Sequence, residues 1–166
     1  MNPIVPRNSW LSSLLSRVAA FRAQPRRPWY VVGGVIRDAL LERARAFPNV
    51  DLAIPSGTLT IAKSLARELG GTFICLDEAA GSARIVVGDD AQRVELDVSD
   101  FRGASIEEDL RRRDFTINAM AVPLDLWVRG EWTAHLIDPL GGRAANDTAP
   151  ASRPCRTRGW TDATAR

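Results

Sequence analysis

From Trp29 onward, short apolar runs alternate with segments of helical periodicity, and this alternation predicts an α/β or α+β domain. Three features carry the prediction. The run Tyr30 to Val32 closes on the pair Gly33-Gly34, the run Val50 to Ile54 stops at Pro55-Ser56-Gly57, and two further runs, Arg84 to Val87 and Arg93 to Val98, are joined through Gly88-Asp89-Asp90 as a hairpin. At 166 residues the chain holds one domain's worth of core. Its 45% apolar and 25% charged content excludes disordered, collagen-like and coiled-coil classes.

Residues 1–28 read as an amphipathic helix and a basic linker. Trp10, Leu11, Leu14, Leu15, Val18 and Phe21 have mostly helical spacing, and the segment Arg22 to Pro28 is basic and broken by proline. A signal peptide is the rival reading, but Arg17 interrupts the apolar stretch and no small-residue cleavage site follows. After the strand at Tyr30, Val35 to Arg43 reads as a helix with Ile36 and Leu40 on its inner face. Leu59 to Leu69 reads as another, with Ile61, Leu65 and Leu69 on one face and Gly70-Gly71 as its stop. Thr72 to Leu76 is a strand. Ser105 followed by Glu108 has capping-box spacing and starts a helix that leads into Arg111 to Asp114. Trp132 to Ile137 is predicted as a final strand and Asp138-Pro139-Leu140-Gly141-Gly142 as a turn. Residues 143–166 contain no Leu, Ile, Val, Phe or Met, so they read as a disordered tail and the organised domain as 29–142.

The net charge of +2 is small, and the 22 basic residues are arginines with the exception of Lys63. Guanidinium groups suit bidentate phosphate contacts. Cys75 and Cys155 have neither metal-ligand nor disulfide-framework spacing, which favours a reducing, cytoplasmic setting, and His135 stands alone without an assigned role. No apolar run approaches the eighteen or so residues that span a bilayer, so no membrane partner is expected.

Three segments carry chemistry. Gly33-Gly34 ends a strand and opens a helix, an arrangement that presents backbone NH groups to phosphate, with Arg37 about one turn further on and Asp38 as a helper. Asn49 and Asp51 are two apart on a strand and point to one side, where Asp51 offers a carboxylate and Asn49 an amide oxygen. Asp97 lies on a later strand with Glu95 on the same face, although alone this pair would read as a solvated strand face. In Arg111-Arg112-Arg113-Asp114-Phe115-Thr116-Ile117-Asn118-Ala119-Met120-Ala121, Arg113 can neutralise phosphate, and Asp114 and Asn118 can share a face and bind ribose hydroxyls. Phe115, Ile117 and Met120 read as core residues.

Together, from about Tyr30 to Gly142, these segments resemble the head domain of the class II tRNA nucleotidyltransferase and bacterial poly(A) polymerase family. The resemblance implies an α+β, polymerase-beta-like fold, a mixed sheet flanked by helices. It implies nucleotide addition from ATP or CTP to an RNA 3′ end, as CCA addition to tRNA or as polyadenylation, with two magnesium ions. Carried over by motif, Asp51 and Asp97 are the catalytic carboxylates, and Asp51, Asn49 and Asp97 are the metal ligands. Gly33, Gly34, Arg37, Arg112, Arg113, Asp114 and Asn118 hold the nucleotide. One departure is that Asn49 stands where the family's Asp-x-Asp has its first carboxylate. Another is that the family's base-selecting neck helix has no counterpart, so the pattern after Gly142 reads as a truncation. A catalytically weakened binding module and a non-functional truncated product are therefore the alternatives.

Overall fold

Alternation along each strand decides which side of the sheet is buried. The computed structural model describes residues 9–21, 28–42, 49–89 and 92–144. The linker residues 22–27, Arg43, the turn residue Asp90 and residues 145–166 of the expected disordered tail 143–166 lie outside them; the helix expected to reach Arg43 ends at Leu40, and Arg143 at the start of the expected tail is ordered, its N donating to Asp138 at 2.9 Å. In chain order the strands are β1 (Tyr30–Val32), β2 (Asn49–Ile54), β3 (Thr72–Asp77), β4 (Ser82–Gly88), β5 (Arg93–Asp100) and β6 (Ala121–Pro123). They form one six-stranded sheet in the order β3-β4-β5-β2-β1-β6. Only β2 and β5 run parallel, and the other neighbours are antiparallel, so the sheet is mixed as expected.

Val50, Leu52 and Ile54 of β2, Ala83, Ile85 and Val87 of β4, and Val94, Leu96 and Val98 of β5 all face one side and are buried. The helices α1 (Ser9–Phe21), α3 (Thr58–Leu69) and α5 (Leu124–Arg129) contribute to the same hydrophobic cluster. The N-terminal helix is an integral part of this core, with Leu11, Leu14, Leu15 and Val18 all buried. Arg17, which interrupts its apolar stretch, donates from Nη2 to the Glu68 carbonyl at 2.7 Å, placing a cation at the C-terminal end of α3. At the other end of α3 the Asp100 carboxylate accepts from Thr58 N at 2.9 Å.

The opposite face is only partly covered. Val32, Ala53, Ala119 and Ala121 pack there with Ile106 and Leu110 of α4 (Ile106–Arg111) in a second, smaller cluster. The rest of that face carries Asn49, Asp51, Arg84, Glu95 and Asp97, alternating with the buried positions. α4 begins at Ser105, whose hydroxyl accepts from Glu108 N at 3.3 Å. Glu108 returns its carboxylate to Ala104 N at 2.9 Å, one residue earlier than a standard capping box.

Two expectations fail here. Trp132–His135 is a 3-10 turn rather than a strand, and only Ile137 bridges to Ala121. Trp132 is wholly buried with its ring centroid 5.1 Å from that of Trp127, and this packing overrides the segment's strand propensity. Phe115 is 42% exposed and Ile117 only partly buried, so of the three expected core residues Met120 alone is fully buried. No described helix is long and apolar enough to cross a membrane.

Because α1 is core, Leu15→Ala should lower stability by about 2 to 5 kcal/mol in urea unfolding. A peripheral helix would give a loss below about 0.5 kcal/mol.

Candidate nucleotide-binding site

The parallel pairing of β2 with β5 sets Asp51 beside Asp97 and Asn49 beside Glu95. Antiparallel pairing of β5 with β4 then places Arg84 directly opposite Asp97. Asp51, Asp97 and Arg84 thus form one row across three strands on the open face. Arg84 donates to both Asp97 oxygens, at 2.7 and 2.8 Å, and its Nη1 lies 2.7 Å from a Glu95 oxygen. Donation to Asp97 pushes the arginine's pKa further above its ordinary value, so this cation stays charged. Asn49 turns Nδ2 toward Asp97 at 3.4 Å and leaves Oδ1 buried without a hydrogen-bond partner.

Beside this row, a cleft of about 160 Å³ is lined by Gly33, Gly34, Asp51, Arg102, Arg113, Asp114, Phe115 and Asn118. The strand-to-helix turn and the charged segment after α4 meet there. Gly33 has φ 77° and ψ −140°, and a β-carbon on it would sit 2.8 Å from an Asp51 oxygen, so only glycine lets the turn approach that carboxylate. The following helix α2 (Gly34–Leu40) carries Arg37, which folds back on itself. Its Nε and Nη2 lie 3.0 and 2.8 Å from Asp38 Oδ1, and its Nη1 donates to Asn118 Oδ1 at 2.8 Å. Arg37 therefore orients Asn118 and is not among the residues lining the cleft. Arg112 is exposed and also outside that lining.

Asp114 and Asn118 both line the cleft, but through a different local structure from the expected helical face. Thr116–Asn118 is a 3-10 turn, preceded by an extended Phe115. The predicted Asp138–Gly142 turn buttresses it: Asp138 accepts from Gly142 N at 2.7 Å, and a β-carbon on Gly142 would collide with the Thr116 carbonyl.

Three residues of the site, Asp109, Arg102 and Arg84, were not singled out from sequence, and a fourth, Phe115, was read as core. Asp109 is 1% exposed; one oxygen accepts from Arg113 Nε and Nη2 at 3.0 and 2.9 Å, and the other from Arg102 N at 3.1 Å. It therefore fixes Arg113 at the cleft. Its neighbours Glu107 and Glu108 make it look solvated, although its position three residues after Ile106 on an amphipathic helix was a signal. Arg102 and Phe115 line the cleft directly, and Arg84 neutralises Asp97.

Asp51 and Asn49, two apart on one face of β2, are the oxygen donors that could hold a divalent cation. They do not suit a pair, because Asp97 is engaged by Arg84 and Asn49 brings no charge. Among the described residues no group of three or more His, Cys, Asp or Glu side chains is placed to hold a metal ion.

A mixed sheet with carboxylates on adjacent parallel strands, and a glycine turn against one of them, thus frame the cleft. Residues 29–148 match the Poly A polymerase head domain family, and the chain belongs to that family. The CC-adding tRNA nucleotidyltransferase of Geobacter sulfurreducens is 39% identical over 116 residues, covering 70% of this chain and 24% of that protein. The A-adding tRNA nucleotidyltransferase of Aquifex aeolicus is 35% identical over 127 residues, covering 68% of this chain and 14% of that protein. Among solved structures, a Thermotoga maritima CCA-adding enzyme complexed with tRNA aligns with a TM-score of 0.66 at 29% identity, over 92% of this chain and 34% of that one. The chain thus spans a quarter or less of the length of the two curated relatives.

Removing Asp109 leaves Arg113 without its buried partner, so Asp109→Ala should cost about 3 kcal/mol in urea unfolding. A loss under about 1 kcal/mol would show that the pair does not organise this corner.

Proposed function

We propose that this chain is the nucleotide-binding head of an RNA 3′-end nucleotidyltransferase, acting in CCA addition to tRNA or in polyadenylation, with ATP or CTP as the donor. The observation that carries the reading is the cleft itself. Segments 81 residues apart, linked by the Arg37–Asn118 hydrogen bond, bring a glycine turn, a carboxylate and an oriented arginine to one place.

Each side chain has a chemical task in this reading. Arg113, held by Asp109, balances phosphate charge, and Arg102 adds a second guanidinium at the cleft. Asp114 and Asn118 accept from and donate to ribose hydroxyls, with Asn118 held in one orientation by Arg37. Gly33 keeps the backbone close to Asp51 so that phosphate can lie near that carboxylate, and Gly34 leaves room for the Arg37 guanidinium. Bound Mg2+ would screen the triphosphate and lower the pKa of an attacking hydroxyl, with Asp51 and Asn49 as its oxygen donors. An exposed, unpaired Cys75 is consistent with a reducing cytoplasm.

A second reading, nucleotide binding with little transfer, is favoured by a specific observation. Arg84 engages both Asp97 oxygens, and the position paired with Glu95 is the neutral Asn49. Arg113→Ala should weaken ATP binding by about 1.5 to 3 kcal/mol in calorimetry with magnesium, because one charge-assisted hydrogen bond is lost. Unchanged affinity would remove Arg113 from the site. Asn49→Asp, nearly isosteric, should raise incorporation of ribonucleotides into a tRNA lacking its CCA end or into unstructured RNA. Equal rates for the two proteins would mean that the missing charge does not limit transfer.

A further inference from the structure

Among the described residues three large hydrophobic side chains are exposed: Ile74, Leu76 and Phe115. The first two sit on β3, at the edge of the sheet, whereas Phe115 lines the cleft. Phe115 belongs to neither hydrophobic cluster, and the ring pairs among the described residues, Tyr30 with Phe101 and Trp127 with Trp132, do not include it. An aromatic ring left 42% exposed inside a cleft otherwise lined by glycines and polar or charged groups has given up burial that the core would have offered.

Its backbone is nonetheless fixed. Phe115 is extended, at φ −127° and ψ 132°, and its carbonyl accepts from Asn118 N at 3.1 Å. Asp114 precedes it directly and Asn118 closes the turn that it begins, and all three line the cleft, so the ring shares it with the two side chains assigned to the ribose. A nucleobase is joined to that ribose through one bond, and its flat face matches the face of a phenyl ring. Stacking of this kind tolerates any base, since every base has a π face.

We propose that Phe115 is the stacking surface for the base of the bound nucleoside triphosphate, a contact that adds affinity without selecting between adenine and cytosine. The inference rests on the nucleotide-binding reading above. Calorimetry on the full chain with magnesium, using ATP, CTP and inorganic tripolyphosphate, tests it. Phe115→Ala should weaken ATP and CTP alike by about 5- to 150-fold, the range for loss of one base–aromatic stack. Tripolyphosphate, which has no base, should bind within about twofold of wild type. Phe115→Trp should retain the nucleotide affinity, and an unchanged far-ultraviolet dichroism spectrum checks that each variant folds. Nucleotide affinity unaltered in Phe115→Ala overturns the stacking role alone. An equal loss for tripolyphosphate also overturns it, because the ring would then be shaping the phosphate site. If wild type binds neither nucleotide nor tripolyphosphate, the nucleotide-binding reading falls and the stacking role with it.

Discussion

The in-register, parallel pairing of β2 with β5 is the constraint on which the site depends. It places Asp51 next to Asp97 and Asn49 next to Glu95, although these residues are more than forty positions apart in the chain. Side chains alternate along a strand, so a slip of one residue would drive Asp51 into the hydrophobic cluster and lift Leu52 to the open face. The buried faces of both strands prevent that slip: Val50, Leu52 and Ile54 lie beside Leu96 and Val98 in the same cluster. The apolar core thus fixes the register, and the register fixes the polar site.

Charge around the cleft is arranged by tethering. Arg37 is held on Asp38 and Asn118, Arg84 on Asp97 and Glu95, and Arg113 on Asp109. A long side chain fixed before a ligand arrives loses less freedom on binding, so Arg113 is ready for an anion at low entropic cost. Arg84 has the opposite consequence. Its guanidinium engages both Asp97 oxygens, and with the neutral Asn49 it lowers the net negative charge of the row. The same sheet therefore sets a cleft lined by Arg102 and Arg113 beside a row in which Asp97 is already paired.

Much of this was legible in the sequence because local and tertiary preferences agreed. The strand at Val50–Ile54, the helix ending at Gly70 and the Asp138–Gly142 turn each have strong punctuation, and all three form. The helix at Leu124–Arg129 was missed even though Asp125 in its first turn and Gly130 in a left-handed cap marked its ends, because six residues give too little periodicity. Trp132–Ile137 misled because its residues favour strands, while burial of Trp132 on Trp127 decided its conformation. Asp109 was passed over and Phe115 misread as core for a common reason. A buried carboxylate and an exposed aromatic both reverse the usual partition, and only the tertiary structure shows which partner or cleft each one serves.

The most direct measurement is a crystal structure of the chain with a non-hydrolysable ATP analogue and manganese, with anomalous scattering to count the ions. The account predicts the analogue in the cleft between Gly33 and Asn118, its phosphates at Arg113 and a single ion at Asp51, with Arg84 still on Asp97. An analogue bound elsewhere, or two ions with Asp97 released from Arg84, would contradict it.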